Sequence, residues 1–246
     1  MNRKIFLFLF SIVLMSFALI QNHKITVWMI GDSTMSVKQP KAYPETGWGM
    51  PFSTFFNKKV TVDNRAMNGR STLSFINEKR WQAVYDNLKE GDYVLIEFGH
   101  NDEKINKPGV GTTIEQYKAN LATFVSEARA KKAIPVLMTP IVRRNFQNGK
   151  LTDTHLGYPD AVRKVADSLH VPLVDMQKKT ERLLSSLGDE GSVKLFNHVP
   201  PGTENYPDGK KDDTHLSPEG AKQIALLAAE GLKEAKVELV RYLREK

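Results

Sequence analysis

The strongest constraint on this chain is a set of short apolar runs, each of which stops at a polar motif. Residues 24–30 form one run, which ends at Gly31-Asp32-Ser33. Residues 60–64 form a weaker one. Residues 93–98 follow the turn signal Gly91-Asp92, and residues 134–138 and 171–175 complete the set. Runs of this length bounded by turn residues are buried strands. The last two carry a Pro near the start, where a missing N–H is tolerated. Helical patterns lie between them. Residues 115–131 place Tyr117, Leu121, Phe124, Val125 and Ala128 at three-to-four spacing. Residues 160–169 and 177–187 behave alike, and residues 218–242 open with Ser217 as N-cap and Pro218 in the first turn. The alternation predicts an α/β fold, a mainly parallel five-stranded sheet between two helical layers. Loops beyond the carboxyl ends of such strands carry the site.

The chain has 246 residues with no internal repeat or linker, so one domain over residues 21–246 is expected. The absence of cysteine excludes a disulfide framework, a thiol nucleophile and a thiolate metal site. Residues 1–20 stand apart. Asn2-Arg3-Lys4 is a basic start, and residues 5–20 are apolar except for Ser11 and Ser16. That is the pattern of a secretory signal, with Ser16-Phe17-Ala18 as a cleavage site. The run is short of the roughly 20 residues a spanning helix needs. The expectation is export to the periplasm or beyond, with no stable membrane insertion. Loss of Arg3 and Lys4 takes the formal charge from +7 to +5. A positive balance alone hints at nucleic acid, but no basic run or aromatic-interleaved motif supports such a partner. Gly109-Val-Gly111-Thr112 lacks the third glycine of a dinucleotide fingerprint.

Four motifs carry the chemistry. Ser33, on a strand-to-helix turn, can project its hydroxyl above the sheet, or simply cap the next helix. Asn68-Gly69 marks a tight turn in which Gly69 lets a backbone N–H approach a ligand. Asn101, in Gly99-His100-Asn101-Asp102, can donate its amide to a developing oxyanion or close a loop turn. Asp212 stands three residues before His215, where a carboxylate can hold one imidazole nitrogen and free the other to accept a proton. Thr152-Asp153-Thr154-His155 nearly repeats that motif, but it has Thr152 in place of the orienting carboxylate. His215 is therefore favoured over His155 as a base.

In this order and at these places the motifs resemble the SGNH-hydrolase (GDSL) superfamily over about residues 25–235. Gly31-Asp-Ser-Thr34, Tyr43-Pro-Glu-Thr-Gly-Trp-Gly49, Asn64-Arg-Ala-Met-Asn-Gly-Arg-Ser71, Phe98-Gly-His-Asn-Asp102 and Asp212-Asp-Thr-His215 are most similar to the rhamnogalacturonan acetylesterase family. The resemblance implies a flavodoxin-like three-layer fold and a serine esterase without metal or cofactor. It implies Ser33 as nucleophile, His215 as base and Asp212 as its orienter. The oxyanion hole would comprise the N–H groups of Ser33 and Gly69 and the Asn101 amide. The implied partner is an acetylated pectic polysaccharide or oligosaccharide, and a basic surface suits such a polyanion. Arg70, Arg143 and Arg144 lie after strands and are candidates for its carboxylates, with a solvated loop pair the equal alternative for Arg143 and Arg144; Trp48 is a candidate for stacking on a sugar or for packing against the site as core. Asp102 and Glu45 are expected to brace loops. An esterase of the same fold acting on acetylated xylan or other glycans, and a non-catalytic glycan-binding protein, are the alternatives.

Overall fold

A computed structural model describes residues 24–244. The expected secretory signal lies outside them. The strands are β1 (Ile25–Gly31), β2 (Val60–Asn64), β3 (Tyr93–Glu97), β4 (Ile134–Met138), the two-residue pair β5 (Phe146–Gln147) and β6 (Lys150–Leu151), and β7 (Leu173–Val174). Five of them form one sheet in the order β2-β1-β3-β4-β7, with every pairing parallel. Val27 pairs with Tyr93 and Gly31 with Glu97, so β1 and β3 end level and their following loops meet.

The helices are α1 (Gly49–Phe52), α2 (Thr72–Asn77), α3 (Arg80–Tyr85), α4 (Ile114–Ala130), α5 (Tyr158–Ser168), α6 (Met176–Ser192) and α7 (Pro218–Glu234). Alternate residues of β1 feed opposite faces, as the two-residue period of a strand requires. Val27 and Met29 pack with Trp48, Phe52, Ile224, Ala225 and Ala228 under α7. Trp28 and Ile30 pack with Tyr117, Leu121, Phe124 and Val162 under α4 and α5. Both faces of the central strands are covered, which is why they appear as unbroken apolar runs.

Two expected boundaries need correction. The strand expected over 171–175 pairs only at Leu173 and Val174. Asp175 instead caps α6, accepting from the Lys178 N–H at 3.2 Å. The last helix stops at Glu234 rather than residue 242. Lys236 takes a left-handed φ of 53°. The Val237 N–H then returns to the Leu232 carbonyl at 3.0 Å and the Lys236 N–H to Lys233 at 3.0 Å. This closes a Schellman motif without glycine, and a short 3-10 turn, Glu238–Tyr242, follows. That tail lies against residues 55–57: the Asn57 N–H donates to the Tyr242 carbonyl at 2.9 Å and the Arg244 N–H to Phe55 at 2.8 Å. The Ile25 N–H donates to the adjacent Lys59 carbonyl at 3.2 Å.

Candidate active site

Ser33 sits two residues beyond the end of β1. Gly31 makes this possible, because a Cβ there would stand 2.5 Å from the Glu97 carbonyl oxygen. Asp32 then shapes the turn. Its Oδ1 accepts from the Thr34 N–H and from the Thr34 hydroxyl, each at 2.9 Å. His100, from the loop after β3, places Nδ1 3.2 Å from Asp32 Oδ2. Burial opposes the Asp32 charge, but His100 and Thr34 outweigh it and keep the carboxyl below the usual carboxylate range. Burial pushes His100 down to about 4, so it is neutral at pH 7. Ser33 itself is 7% exposed.

His215 reaches Ser33 from the segment that leads into α7. His215 Nε2 lies 2.9 Å from Ser33 Oγ, across 182 residues of sequence. On the other side, Nδ1 lies 2.8 Å from Asp212 Oδ2. Asp212 Oδ1 accepts the Thr214 and His215 N–H groups at 2.9 Å each. The carboxylate is thus fixed by its own backbone before it orients the ring. Burial works against its charge, and hydrogen bonds from His215 and Lys210 more than offset that, holding it well below the carboxylate range. The ring's backbone is pinned as well. The Asn197 N–H donates to the His215 carbonyl at 2.8 Å, and the Thr46 N–H to that of Leu216 at 2.9 Å. With Nδ1–H spent on the carboxylate, Nε2 is left to accept a proton from the hydroxyl it faces.

The turn after β2 and the loop after β3 pack around the Ser33 turn and carry hydrogen-bond donors. The Met67 N–H donates to the Gly31 carbonyl at 3.0 Å and docks the turn after β2 onto the end of β1. Gly69 has φ 77°, a left-handed conformation, and open space where a side chain would stand. The Ser33 and Gly69 N–H groups meet no acceptor among the described residues. Asn101 Nδ2 donates to the Arg70 carbonyl at 3.1 Å, and its Oδ1 accepts from Lys104 Nζ at 2.8 Å. Those two contacts turn the amide's N–H side toward the Gly69 turn. Beneath it, Asp102 is buried and accepts from the Thr72 N–H, the Thr72 hydroxyl and the Thr112 hydroxyl. Asp102 braces loops, as expected, and burial pushes its carboxyl up to about 7.

The residues proposed from sequence to bind a polymer fare differently. Trp48 is 0% exposed and donates Nε1–H to Glu97 Oε2 at 2.7 Å; it is core, not a stacking platform. Arg143 pairs with Glu103 and donates to Thr154 Oγ1 at 3.0 Å. Arg144 is held by Asp189 and, at 2.8 Å, by Asp213. Arg70 pairs with Glu78 at 3.0 Å. All three guanidinium groups are therefore committed to acids of this chain. His155 is 0% exposed and spends both ring nitrogens, on Glu103 Oε2 and on the Ile141 carbonyl, at 2.8 Å each. It does not reach Ser33.

Sequence reasoning missed two lysines. Lys210 Nζ lies 2.8 Å from Asp212 Oδ2 and 3.3 Å from Glu45 Oε2, and Lys38 Nζ lies 2.8 Å from Glu45 Oε1. Glu45, Asp212 and His215 bring metal-type donor atoms within 4.8 Å of one another. The Lys210 ammonium already supplies positive charge between the two carboxylates. Of Lys38, Glu45 and Lys210, the sequence had singled out only Glu45, as a loop brace.

Among known proteins, the GDSL-like Lipase/Acylhydrolase family matches residues 29–223. The chain belongs to that family. As an acylhydrolase it is a carboxylic ester hydrolase. It is 42% identical over 212 residues to the rhamnogalacturonan acetylesterase RhgT of Bacillus subtilis, covering 85% of this chain and 90% of that one. It is 30% identical over 224 residues to the rhamnogalacturonan acetylesterase of Emericella nidulans, covering 81% of each. The crystal structure of YxiM from Bacillus subtilis superposes with a TM-score of 0.74 at 23% identity. It covers 87% of this acylhydrolase, which spans 57% of that chain, and it shows the same α/β fold.

Proposed function

We propose that this acylhydrolase removes acetyl groups from rhamnogalacturonan through an acetyl-enzyme formed on Ser33. The observation that carries the mechanism is the contact of His215 Nε2 with Ser33 Oγ at 2.9 Å, backed by Asp212 on Nδ1 at 2.8 Å. Ser33 Oγ adds to the acetyl carbonyl while its proton passes to Nε2. The carbonyl oxygen becomes an oxyanion within reach of the Ser33 and Gly69 N–H groups and the Asn101 amide. Each such donor stabilises the transition state by ~3 kcal/mol. As the oxyanion collapses, the bond to the sugar oxygen breaks and Nε2 returns the proton to that oxygen. Water then repeats the sequence on the acetyl-enzyme and releases acetate.

Identity to RhgT of 42% over most of both chains supports the substrate class. A formal charge of +5 without residues 1–20 suits a uronic-acid polymer. In the same reading, residues 1–20 direct export and 21–246 form the working enzyme. Among the described residues no helix is long and apolar enough to cross a membrane. The test is acetate release from acetylated rhamnogalacturonan beside acetylated xylan. Faster release from the pectic polymer, abolished in a folded Ser33→Ala variant, is expected. Preference for xylan overturns the substrate, and an active Ser33→Ala variant overturns the nucleophile.

A further inference from the structure

Lys38 follows β1 by seven residues and is buried, its side chain only 3% exposed. An ammonium has three N–H donors and no acceptor. Here each donor finds a separate acceptor on a separate loop. One goes to the Ser33 carbonyl at 2.5 Å, one to Asn68 Oδ1 at 2.9 Å, and one to Glu45 Oε1 at 2.8 Å. Ser36 reinforces the first two contacts, with its hydroxyl 2.6 Å from Asn68 Oδ1 and 3.2 Å from the Ser33 carbonyl. A buried cation costs stability unless it is fully paired. A tether between two turns alone could be made by a neutral side chain. The ammonium can hold both turns and Glu45 at once because it has three donors.

We propose that Lys38 is a positioning residue for ester hydrolysis, its ammonium fixing the distance between the Ser33 turn and the Asn68-Gly69 turn. The two backbone donors of the oxyanion hole belong to those two turns, and misplacement of catalytic groups by about 1 Å costs about a hundredfold in rate. Glu45 extends the tie. Through Lys210 it reaches Asp212, so one line of alternating charges joins the nucleophile's peptide to the carboxylate that orients the base. The groups facing Lys38 are Glu45, with Asp32 and Lys210 beyond it. The inference rests on the Ser33 reading above.

The test compares Lys38→Met with the double variant Lys38→Met/Glu45→Gln on an aryl acetate, with thermal melts alongside. In the single variant kcat falls by about 10- to 100-fold. KM moves by less than about threefold, because the oxyanion exists only in the transition state. Tm also falls, since Glu45 is left with less counter-charge. In the double variant that carboxylate is gone, so Tm recovers while kcat stays low. Recovery of kcat together with Tm overturns the proposal, as does wild-type kcat in a folded single variant. If the single variant does not fold, the folded double variant decides on the same kcat criterion. Labelling of Ser33 by an organofluorophosphonate, read as added mass on the wild-type protein, keeps the two readings apart. Absent labelling with intact hydrolysis fails the nucleophile, whereas labelling with unaffected Lys38 variants fails only the positioning role.

Discussion

Replacing Asp212 by Asn tests the base directly. Asp212 uses both oxygens: Oδ1 takes two backbone N–H groups, and Oδ2 takes His215 Nδ1 and the Lys210 ammonium. An amide has one acceptor oxygen. If that oxygen stays with the backbone donors, the NH2 group confronts Nδ1, and the ring must accept there and carry its proton on Nε2. That tautomer cannot take a proton from Ser33. If the amide flips, its NH2 faces two N–H donors and the segment before α7 is displaced. In either arrangement the carboxylate charge beside the developing imidazolium is lost. At an effective dielectric of about 20, unit charges about 4 Å apart interact by about 4 kcal/mol. The Asp212 and His215 side chains are 11% and 26% exposed, which suits that dielectric. Such a loss corresponds to about three decades in rate. We therefore expect Asp212→Asn to lower kcat on an aryl acetate by ~10³-fold, with KM little changed and a cooperative thermal melt retained. Activity within tenfold of wild type in a folded variant would refute the assignment of Asp212 as orienter.

Two further outcomes follow from the same geometry. His215→Ala is expected to be almost inactive with a near-normal Tm. His155→Ala should lose stability, because the buried Ile141 carbonyl loses its partner and Glu103 is left with Arg143 alone, yet keep its kcat in the folded fraction. Steady-state rates and melts on both proteins check this, and the opposite ranking would move the base to His155. Asp102 gives a pH effect. Burial raises its carboxyl to about 7 in the folded state from 3.8 in a free carboxylate. The unfolded chain therefore releases this proton first, and the contribution to stability is lost as pH rises from about 4 through 7. Asp102→Asn can keep its oxygen on the Thr72 and Thr112 donors without titrating. Relative to wild type, its Tm should be higher at pH 8 than at pH 5; a constant difference across that range would refute the shift.

Much of the fold was legible because central parallel strands are buried on both faces. β2 and β4 match the expected limits, and β1 and β3 match within one residue. The site motifs were legible because they sit where those runs stop. Trp48, Arg143 and Arg144 were left with two readings each for a common reason. Their partners, Glu97, Glu103, Asp189 and Asp213, are distant in sequence, and no local pattern shows which acid will neutralise which base. The end of α7 was hidden because Lys236 occupies a left-handed position usually held by Gly. The six-residue helices α2 and α3 are too short for a periodic signal. The two-residue strands β5 and β6, joined at Asn148-Gly149 with φ of 50° and 74°, are too short for a strand signal. The Lys38–Glu45–Lys210 line draws on three loops, so it appears only once the fold brings them together.

The described ends of the chain share one strip of backbone. Ile25 is bonded to Lys59, and Tyr242 and Arg244 to residues 55–57. That strip lies at the start of β1, whereas Ser33 lies past its finish, and seven strand residues at about 3.3 Å each separate the two. Cargo joined to either end would therefore hang from the base of the molecule and leave the hydrolytic face unobstructed. Because the two ends are neighbours, a short linker could close them and new termini could be opened elsewhere. If the molecule were tethered to a wall or bead by this strip, it would present Ser33 outward, toward a polymer too large to diffuse beneath it.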